Sequence, residues 1–257
     1  MLIFGLHPVL EALRAGRVRA IRVSARADDR MRKLLDGAAS ARVPVERVDP
    51  ARLDREARGG VHQGVVADVR VPEPCSVADL VDEAPGAALI VVLDGVEDPH
   101  NTGAILRTAD AAGADGVVRQ SRRAAPLDAA TAKASAGAVS WVRVAEVVNI
   151  ARALEELKAR HVWTVGLAGD AVQTYDTVDF RLPTAIVVGA EGAGLRRLVR
   201  QRCDLTVSIP MAGHVDSVNV SVAAGVVLFE AVRQRRRAAD GVASSRQLGT
   251  EPRNRGE

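Results

Sequence analysis

The sequence predicts an α/β protein made of a small N-terminal unit and a larger C-terminal unit. Three observations lead to this fold class: apolar runs alternate with amphipathic stretches, residues 71–86 interrupt that alternation, and the continuous apolar run 88–93 opens the second half. Such a run, bounded by turn residues, is typical of a parallel strand buried on both faces. A chain of 257 residues is long enough for one large or two small domains.

Residues 1–70 are expected to form a compact α/β unit. Asp49 precedes Pro50, an acidic cap followed by proline at the first helical position, which is typical of a helix start. This segment carries 14 basic and 9 acidic residues, so it is the most basic part of the chain and a candidate nucleic-acid surface. The expected helices are 8–15, 28–40 and 50–58, and the expected strands are 18–23, 43–48 and 65–69.

Residues 71–86 contain three prolines and four acidic residues without periodicity, which predicts a linker. In the C-terminal unit, 87–237, strands should alternate with helices around one sheet, and functional groups should follow the carboxyl ends of the strands. Residues 238–257 are predicted to be a disordered tail. The expected strands are 88–93, 116–119, 141–144, 162–167, 184–189 and 204–208, and the expected helices are 102–112, 128–135, 149–160, 194–202 and 219–237.

Composition excludes several classes of protein. The longest apolar run, 87–93, is far shorter than the roughly 20 residues that span a bilayer. The two cysteines, Cys75 and Cys203, lack metal-site spacing, so we expect a cytoplasmic protein without a disulfide framework or a metal site. Six aromatic residues are too few for a module that stacks RNA bases on its sheet. Of 35 basic residues 32 are arginine, which suits phosphate recognition and is equally expected from GC-rich codon usage.

Neither a dinucleotide-binding GxGxxG nor a phosphate-binding GxxxxGK[ST] motif is present. Three polar segments instead come after predicted strands. The first is DPHNTGAILR, 98–107, in which Asn101 stands near a helix start and Arg107 comes six residues later, roughly on the Asn101 side of the helix. A capped helix with a solvated arginine is the simpler interpretation of this segment alone.

The second segment is VGAEGAGL, 188–195, whose glycines allow the backbone to approach a ligand closely. Glu191 between them also suits an ordinary turn before a helix. The third is IPMAGHVDSVNVSVA, 209–223, in which Ser217 and Asn219 are also candidate caps of the next helix. Four closely spaced polar residues, 216, 217, 219 and 221, exceed what a cap requires.

Together, in this order, the three segments resemble the motifs of the SpoU (TrmH) family of S-adenosylmethionine-dependent RNA 2′-O-methyltransferases. FGLHPVLEAL, 4–13, and HQG, 62–64, are similar to the substrate-binding domain of the branch that methylates a guanosine in 23S rRNA. Val218 is a departure, because the family more often has leucine there. The resemblance covers residues 1–237.

The resemblance implies an N-terminal RNA-binding domain like ribosomal protein L30e and a C-terminal α/β domain with a deep trefoil knot. It implies a cofactor site for S-adenosylmethionine, held largely by backbone groups, and no metal. It further implies that knotted domains pair as homodimers that share the site. The apolar residues 222–229 of the last helix are a candidate face for this pairing, although a monomer core would need the same residues. The implied cofactor-binding residues are Leu167, Gly169, Gly189, Ile209, Met211 and Val218, and the implied catalytic residues are Asn101, Arg107, Glu191, Ser217 and Asn219.

Methyl transfer requires a positioned ribose hydroxyl and help with the removal of its proton. The family's arginine is often proposed as the base, but guanidinium groups stay protonated in proteins. We therefore expect Arg107 to clamp a phosphate and stabilise the developing alkoxide. Arg14, Arg17, Arg19 and Arg22 are candidate contacts to the phosphates of RNA, and ordinary solvated surface is the alternative for each.

Other functions stay open at this point. Within the family, the alternatives are a tRNA 2′-O-methyltransferase and a thiostrepton-resistance-type enzyme that acts on another 23S rRNA nucleotide. The short tRNA enzymes lack the N-terminal domain, whereas the resistance type shares it. Outside the enzymes, a ribosome-associated RNA-binding protein would have lost site residues, yet all five implied catalytic residues are present.

Overall fold

The computed structural model describes residues 1–25, 31–70 and 73–248. In the N-terminal unit, four strands form one sheet in the order β1-β4-β2-β3, in which only the β2–β3 pair is parallel. The strands are β1 (Leu2–Phe4), β2 (Val18–Ser24), β3 (Val45–Val48) and β4 (Val65–Val69). The helices are α1 (Leu6–Arg14), α2 (Arg32–Ser40) and α3 (Pro50–Glu56).

The predicted elements of this unit are present, and β1 is an addition. Three residues are too few to show a periodicity, so sequence patterns could not reveal β1. Asp49 caps α3 as expected, since its side chain accepts a hydrogen bond of 2.8 Å from the Ala51 amide. The helix predicted over 28–40 is observed from Arg32, and residues 26–30 lie outside the described part of the chain.

In the C-terminal unit, seven strands form a parallel sheet in the order β7-β6-β5-β10-β8-β11-β9. The strands are β5 (Leu89–Asp94), β6 (Gly116–Gln120), β7 (Val144–Val147), β8 (Trp163–Leu167), β9 (Gln173–Thr174), β10 (Thr184–Gly189) and β11 (Leu205–Ser208). The helices are α4 (Val77–Asp82), α5 (Pro99–Ala112), α6 (Ala129–Ala134), α7 (Ile150–Ala159), α8 (Arg197–Arg202) and α9 (Val220–Leu248).

The centre of the sheet explains the apolar runs in the sequence. Every residue of β5 and of β10 is buried, because apolar clusters cover both faces of the sheet. Helices α5 and α9 pack on one face, and α7 packs on the other. The predicted α/β class and its parallel sheet are confirmed.

The strand predicted over 141–144 lies three residues later, as β7 (Val144–Val147), because 138–140 form a short 3-10 helix first. The predicted linker and the predicted tail are also wrong. The segment 71–86, predicted to be a linker, contains α4, whose cap Ser76 and Asp79 form a capping box and whose Leu80 is fully buried. The nearby prolines conceal this short helix in the sequence. Helix α9 continues to Leu248 instead of ending at Arg237, since alanines come next and no proline interrupts the chain before residue 252. The rest of the predicted tail, 249–257, lies outside the described residues.

Arg235 of α9 binds the backbone of other chain segments. Its guanidinium donates hydrogen bonds to the carbonyl oxygens of four residues in the chain segments that enter β5 and β10. These acceptors are Ala87, Ala88, Phe180 and Leu182. Arg235 therefore attaches α9 to the amino edge of the sheet.

The two units contact each other directly, beyond their connection through the chain. Trp141 donates a hydrogen bond from Nε1 to Glu11 Oε2 at 3.2 Å, and Gly137, with φ 93°, lies against the Glu11 side chain. Burial, together with the charge of Glu11, raises the pKa of Asp110 on α5. An N-terminal unit that reoriented relative to the C-terminal unit would first have to break these contacts. No helix in the described ranges is long and apolar enough to cross a membrane.

Candidate active site

The three polar segments meet at the carboxyl edge of the C-terminal sheet, as parallel-strand topology requires. The loops after β8, β10 and β11 surround a cleft of about 380 Å³. All six residues that the family resemblance implies for cofactor binding line this cleft: Leu167, Gly169, Gly189, Ile209, Met211 and Val218. Glu191, Ser217 and Asn219 line it as well.

The glycine-rich loop folds tightly over the end of β10. A Cβ atom on Gly189 would overlap the backbone of Gly194, so only glycine fits there. The backbones of Ala190 and Gly194 exchange hydrogen bonds of 3.1 and 2.8 Å, and Gly192 and Gly194 have φ values of 76° and 64°. This left-handed backbone favours glycine. The loop thus closes on itself and holds Glu191 at its tip.

Three of the five implied catalytic residues form one hydrogen-bonded cluster. Asn101 donates from Nδ2 to Glu191 Oε2 at 3.0 Å. Asn219 donates from Nδ2 to Asn101 Oδ1 at 2.9 Å and contacts Glu191 Oε1 at 3.5 Å. These residues are 28 to 118 positions apart in sequence, so the cluster joins the ends of β5, β10 and β11.

The Asn101 side chain reaches this cluster because it does not cap α5. Asp98 is the cap, accepting hydrogen bonds from the amides of His100 and Asn101 at 3.0 and 3.3 Å. The helix therefore begins three residues earlier than expected, and Asn101 lies within its first turn. Asn219 does cap α9, since its Oδ1 accepts from the Ser221 amide at 2.9 Å.

Arg107 does not join the cluster. It is exposed, whereas Asn101 is only 7% exposed, and it forms no hydrogen bond or ion pair with any described residue. The expectation that both lie on one side of the helix is wrong, because six residues at about 100° each leave them roughly 120° apart. Ser217 is exposed at the cleft, and its hydroxyl also makes no hydrogen bond within the described ranges.

The four candidate RNA-binding arginines differ in their availability. Arg22 is 13% exposed and pairs with Glu56 at 2.6 Å and with Asp68 at 2.8 Å, so its guanidinium is already occupied inside the N-terminal unit. Arg14 pairs with Glu11 at 2.6 Å. Arg17 and Arg19 make no ion pair with any described residue, and Arg19 is exposed.

The sequence reasoning missed one charged pair beneath the cluster. Asp94, at the end of β5, is fully buried and accepts hydrogen bonds from the backbone amide and Nε of Arg196 at 2.8 and 2.7 Å. An acidic residue directly after a buried apolar run was the available signal, since a buried carboxylate requires a partner. No group of three or more potential metal ligands occurs in the described ranges.

Each of the two units matches the model of a protein family. Residues 88–229 match the model of the SpoU rRNA methylase family, and residues 2–75 match the model for RNA 2′-O ribose methyltransferase substrate binding. The chain belongs to the SpoU rRNA methylase family. The family resemblance of the sequence is thereby confirmed.

Relatives within the SpoU family align along nearly the whole chain. A protein of Pseudomonas aeruginosa named 23S rRNA (guanosine-2′-O-)-methyltransferase RlmB is 44% identical over 91% of this chain and 96% of the relative. A protein of the same name from a Burkholderia species is 47% identical, again over 91% of this chain and 96% of the relative.

Solved structures of the SpoU family share the fold. AviRb from Streptomyces viridochromogenes, a SpoU methyltransferase in complex with the cofactor AdoMet, has a TM-score of 0.79 at 30% identity and covers 91% of this chain and 90% of its own. A TrmH/SpoU tRNA modifying enzyme from A. aeolicus has a TM-score of 0.55 at 31% identity and covers 63% of this chain and 82% of its own. The AviRb structure thus aligns with 91% of this chain, whereas the tRNA modifying enzyme aligns with only 63%.

Proposed function

We propose that this protein transfers a methyl group from S-adenosylmethionine to the 2′-hydroxyl of a guanosine in 23S rRNA. The observation that carries the proposal is the alignment of both units with the 23S rRNA guanosine methyltransferases, at 44–47% identity over 91% of the chain. The tRNA enzyme from A. aeolicus covers only 63% of this chain. On this proposal the enzyme acts in the cytoplasm, where ribosomal RNA is made.

The cleft suits the cofactor. Glycines 169, 189, 192 and 194 expose backbone groups to it, and Leu167, Ile209 and Val218 supply apolar surface. This combination of backbone polar groups and apolar walls fits a purine nucleoside. When bound, S-adenosylmethionine supplies an electrophilic methyl group for in-line displacement by an oxygen nucleophile. Met211 completes the proposed cofactor-binding set.

The cluster above the cleft is proposed to position the ribose. Glu191 accepts hydrogen bonds from the side-chain amides of Asn101 and Asn219, which orients both groups. Fixed orientation of groups around a nucleophile is a large part of catalysis. Ser217, exposed at the same cleft, remains available to the substrate or the cofactor. Arg107 would hold the adjacent phosphate and stabilise the alkoxide that develops at the 2′-oxygen.

A homodimer would complete the site. Arg107 lies outside the cleft of its own chain, on helix α5, which packs beside α9 with Thr108 against Gly225. Val222 and Phe229 on α9 are seven residues apart on one helix face and are 51% and 49% exposed. Exposed large apolar groups on one face are typical of an interface. We propose that a second copy covers this face and that Arg107 of one protomer serves the cleft of its partner.

Phe229→Glu is expected to convert the dimer into a monomer of 27.1 kDa and to abolish most activity, because a carboxylate would be buried at the interface. Light scattering coupled to size exclusion measures the mass. Val172→Glu is the matched control, because Val172 is fully exposed on the loop before β9. If Phe229→Glu has the same dimeric mass as the Val172→Glu control, the proposed interface is contradicted.

Arg17 and Arg19 are the proposed RNA contacts of the N-terminal unit, since neither has an acidic partner among the described residues. Arg19→Gln should weaken RNA binding about equally for all sequences and reduce the slope of log K against log salt by about 1. Filter binding between about 50 and 200 mM salt measures this slope. Arg22→Gln is a poor control because it breaks two ion pairs. Arg55→Gln is the better control, because it removes an exposed arginine of α3, which follows the opposite end of the parallel β2–β3 pair. An unchanged slope for Arg19→Gln would exclude this contact.

The proposed reaction is tested by mapping 2′-O-methyl groups after incubation of the purified protein with S-adenosylmethionine and unmodified 23S rRNA. One new methylated guanosine in 23S rRNA is the expected result, with none in a tRNA pool. Methylation of tRNA alone would favour the tRNA alternative. No methylation in either RNA, with RNA binding retained, would favour the non-enzymatic alternative. A deletion strain should lack the same methyl group.

A further inference from the structure

Asp94 lies where the segment that leads to Asn101 begins, and Arg196 lies where the loop that carries Glu191 ends. Asp94 is the last residue of β5, and Arg196 comes after the glycine-rich loop, directly before the first residue of α8. Asp94 stands opposite Gly189 in the parallel register of β5 and β10. One carboxylate therefore binds the residue that ends the Glu191 loop while it begins the segment leading to Asn101.

Only one partner of this pair is buried. Asp94 is fully buried, whereas the Arg196 side chain is 47% exposed. The Asp94 carboxylate accepts from both the amide and the guanidinium of Arg196, with Nη2 as an additional ion-pair contact. Charge-assisted hydrogen bonds in a buried setting are short and directional. Next to Asp94, a Cβ atom on Gly95 would lie 3.9 Å from the Ala190 Cβ, so the two loops pack closely there.

Two connections therefore join the same pair of loops. At the base, Asp94 binds Arg196; at the top, Asn101 binds Glu191 at 3.0 Å. Between them, the hydrogen bonds of Ala190 with Gly194 close the glycine-rich loop on itself. If the base connection is lost, Glu191 can shift relative to Asn101, although neither residue has been changed.

We propose that Asp94 and Arg196 are positioning residues for methyl transfer: their ion pair sets the distance between the segment that leads from β5 to Asn101 and the loop that carries Glu191. The inference rests on the proposed function, because the cluster it aligns is the proposed ribose-binding site. Neither residue is assigned to the substrate or the cofactor. Their effect is transmitted through the backbone of the two loops.

Steady-state kinetics of three variants test this role. Arg196→Gln should lower kcat roughly 10- to 100-fold, because misplacement by about 1 Å can cost that much. The KM for RNA should change less than about threefold, and Arg196→Lys should recover part of the lost kcat. Asp94→Asn combined with Arg196→Gln leaves no unpaired buried charge, so it should fold, yet its kcat should stay low.

The matched control is Arg202→Gln. Arg202 is the last residue of α8, and it forms an exposed ion pair of 2.9 Å with Glu155 of α7. The control variant should keep the kcat of the parent protein. A wild-type kcat in the double variant would show that the pair serves stability alone and would overturn the proposal. A raised KM for RNA with unchanged kcat in Arg196→Gln would also overturn it, since Arg196 would then be an RNA contact.

Hydrogen exchange supplies a readout independent of methyl transfer. In Arg196→Gln, the amides of Ala190 and Gly194 should exchange at least about tenfold faster, while peptides from α7 keep their rates. Unchanged exchange at both amides would overturn the positioning role. Inactive parent protein would contradict the proposed function instead, and the exchange experiment would still decide whether the pair holds the loops.

Discussion

Replacing Arg107 by alanine is expected to lower kcat by roughly 10²–10³-fold, the usual effect of losing a group that stabilises a developing oxyanion. The affinity for S-adenosylmethionine should not change, since the proposed contacts of Arg107 are with the RNA phosphate and the 2′-oxygen and not with the cofactor. The fold should also be unaffected, because Arg107 is exposed and makes no ion pair or hydrogen bond with any described residue. Single-turnover methylation and calorimetric titration of the cofactor measure the two effects.

Arg107→Lys separates charge from geometry. A lysine that keeps appreciable turnover would mean that positive charge suffices, whereas loss of turnover with RNA and cofactor binding intact would support a two-pronged guanidinium contact. Full activity in Arg107→Ala would exclude Arg107 from catalysis in either form.

The proposed sharing of the site adds a further test with the same variant. Arg107→Ala and Glu191→Gln should each retain only a small fraction of the parent activity alone. If each site combines Arg107 of one protomer with Glu191 of its partner, mixed dimers contain one intact site and regain activity. If both residues act within one chain, every site in a mixed dimer lacks one of them, and activity stays low.

Arg235→Ala is expected to cost about 3 kcal/mol of unfolding free energy, since one guanidinium now serves four carbonyl oxygens that would lose their donor. For a chain of this size, that corresponds to a Tm lower by roughly 6–12 °C. Differential scanning calorimetry and urea unfolding measure the change. Arg235→Lys should recover only part of the loss, because an ammonium group cannot reach the same spread of acceptors.

The neighbouring Arg236 provides the control for this effect. It is exposed on the same helix turn, so Arg236→Ala should change the unfolding free energy by less than about 0.5 kcal/mol. Equal loss of stability in both variants would mean that helix propensity and net charge, and not the contacts of Arg235, determine the effect.

Local sequence patterns predicted most of the secondary structure and the position of the cleft. The runs that became β5 and β10 were recognisable because burial on both faces leaves a continuous apolar signal. The location of the polar segments was predictable because they come directly after strands of the C-terminal unit, whereas the individual cofactor-binding residues were implied by the family resemblance. The knot and the L30e-like character of the N-terminal unit came from the family resemblance alone and stay predictions.

Other features required three-dimensional contacts. Whether Asn101 caps its helix depends on Asp98, three residues earlier, and no pattern distinguishes two nearby candidates for the same cap. The carboxylates that occupy Arg22 are 34 and 46 residues away in sequence. The contacts of Arg235 likewise have no local signal in the sequence, because its carbonyl partners are 55 and 148 residues away.

Helix α9 connects opposite edges of the sheet. Asn219 caps it beside the cleft at the carboxyl edge, and Arg235 binds it to the amino edge sixteen positions later. Each added or removed residue in a helix changes the rotation by about 100° and the length by about 1.5 Å. A one-residue insertion or deletion between these two points would therefore turn either the Asn219 amide away from Glu191 or the Arg235 guanidinium away from its carbonyls. The length of this helix segment is as constrained as the identity of the residues at its ends.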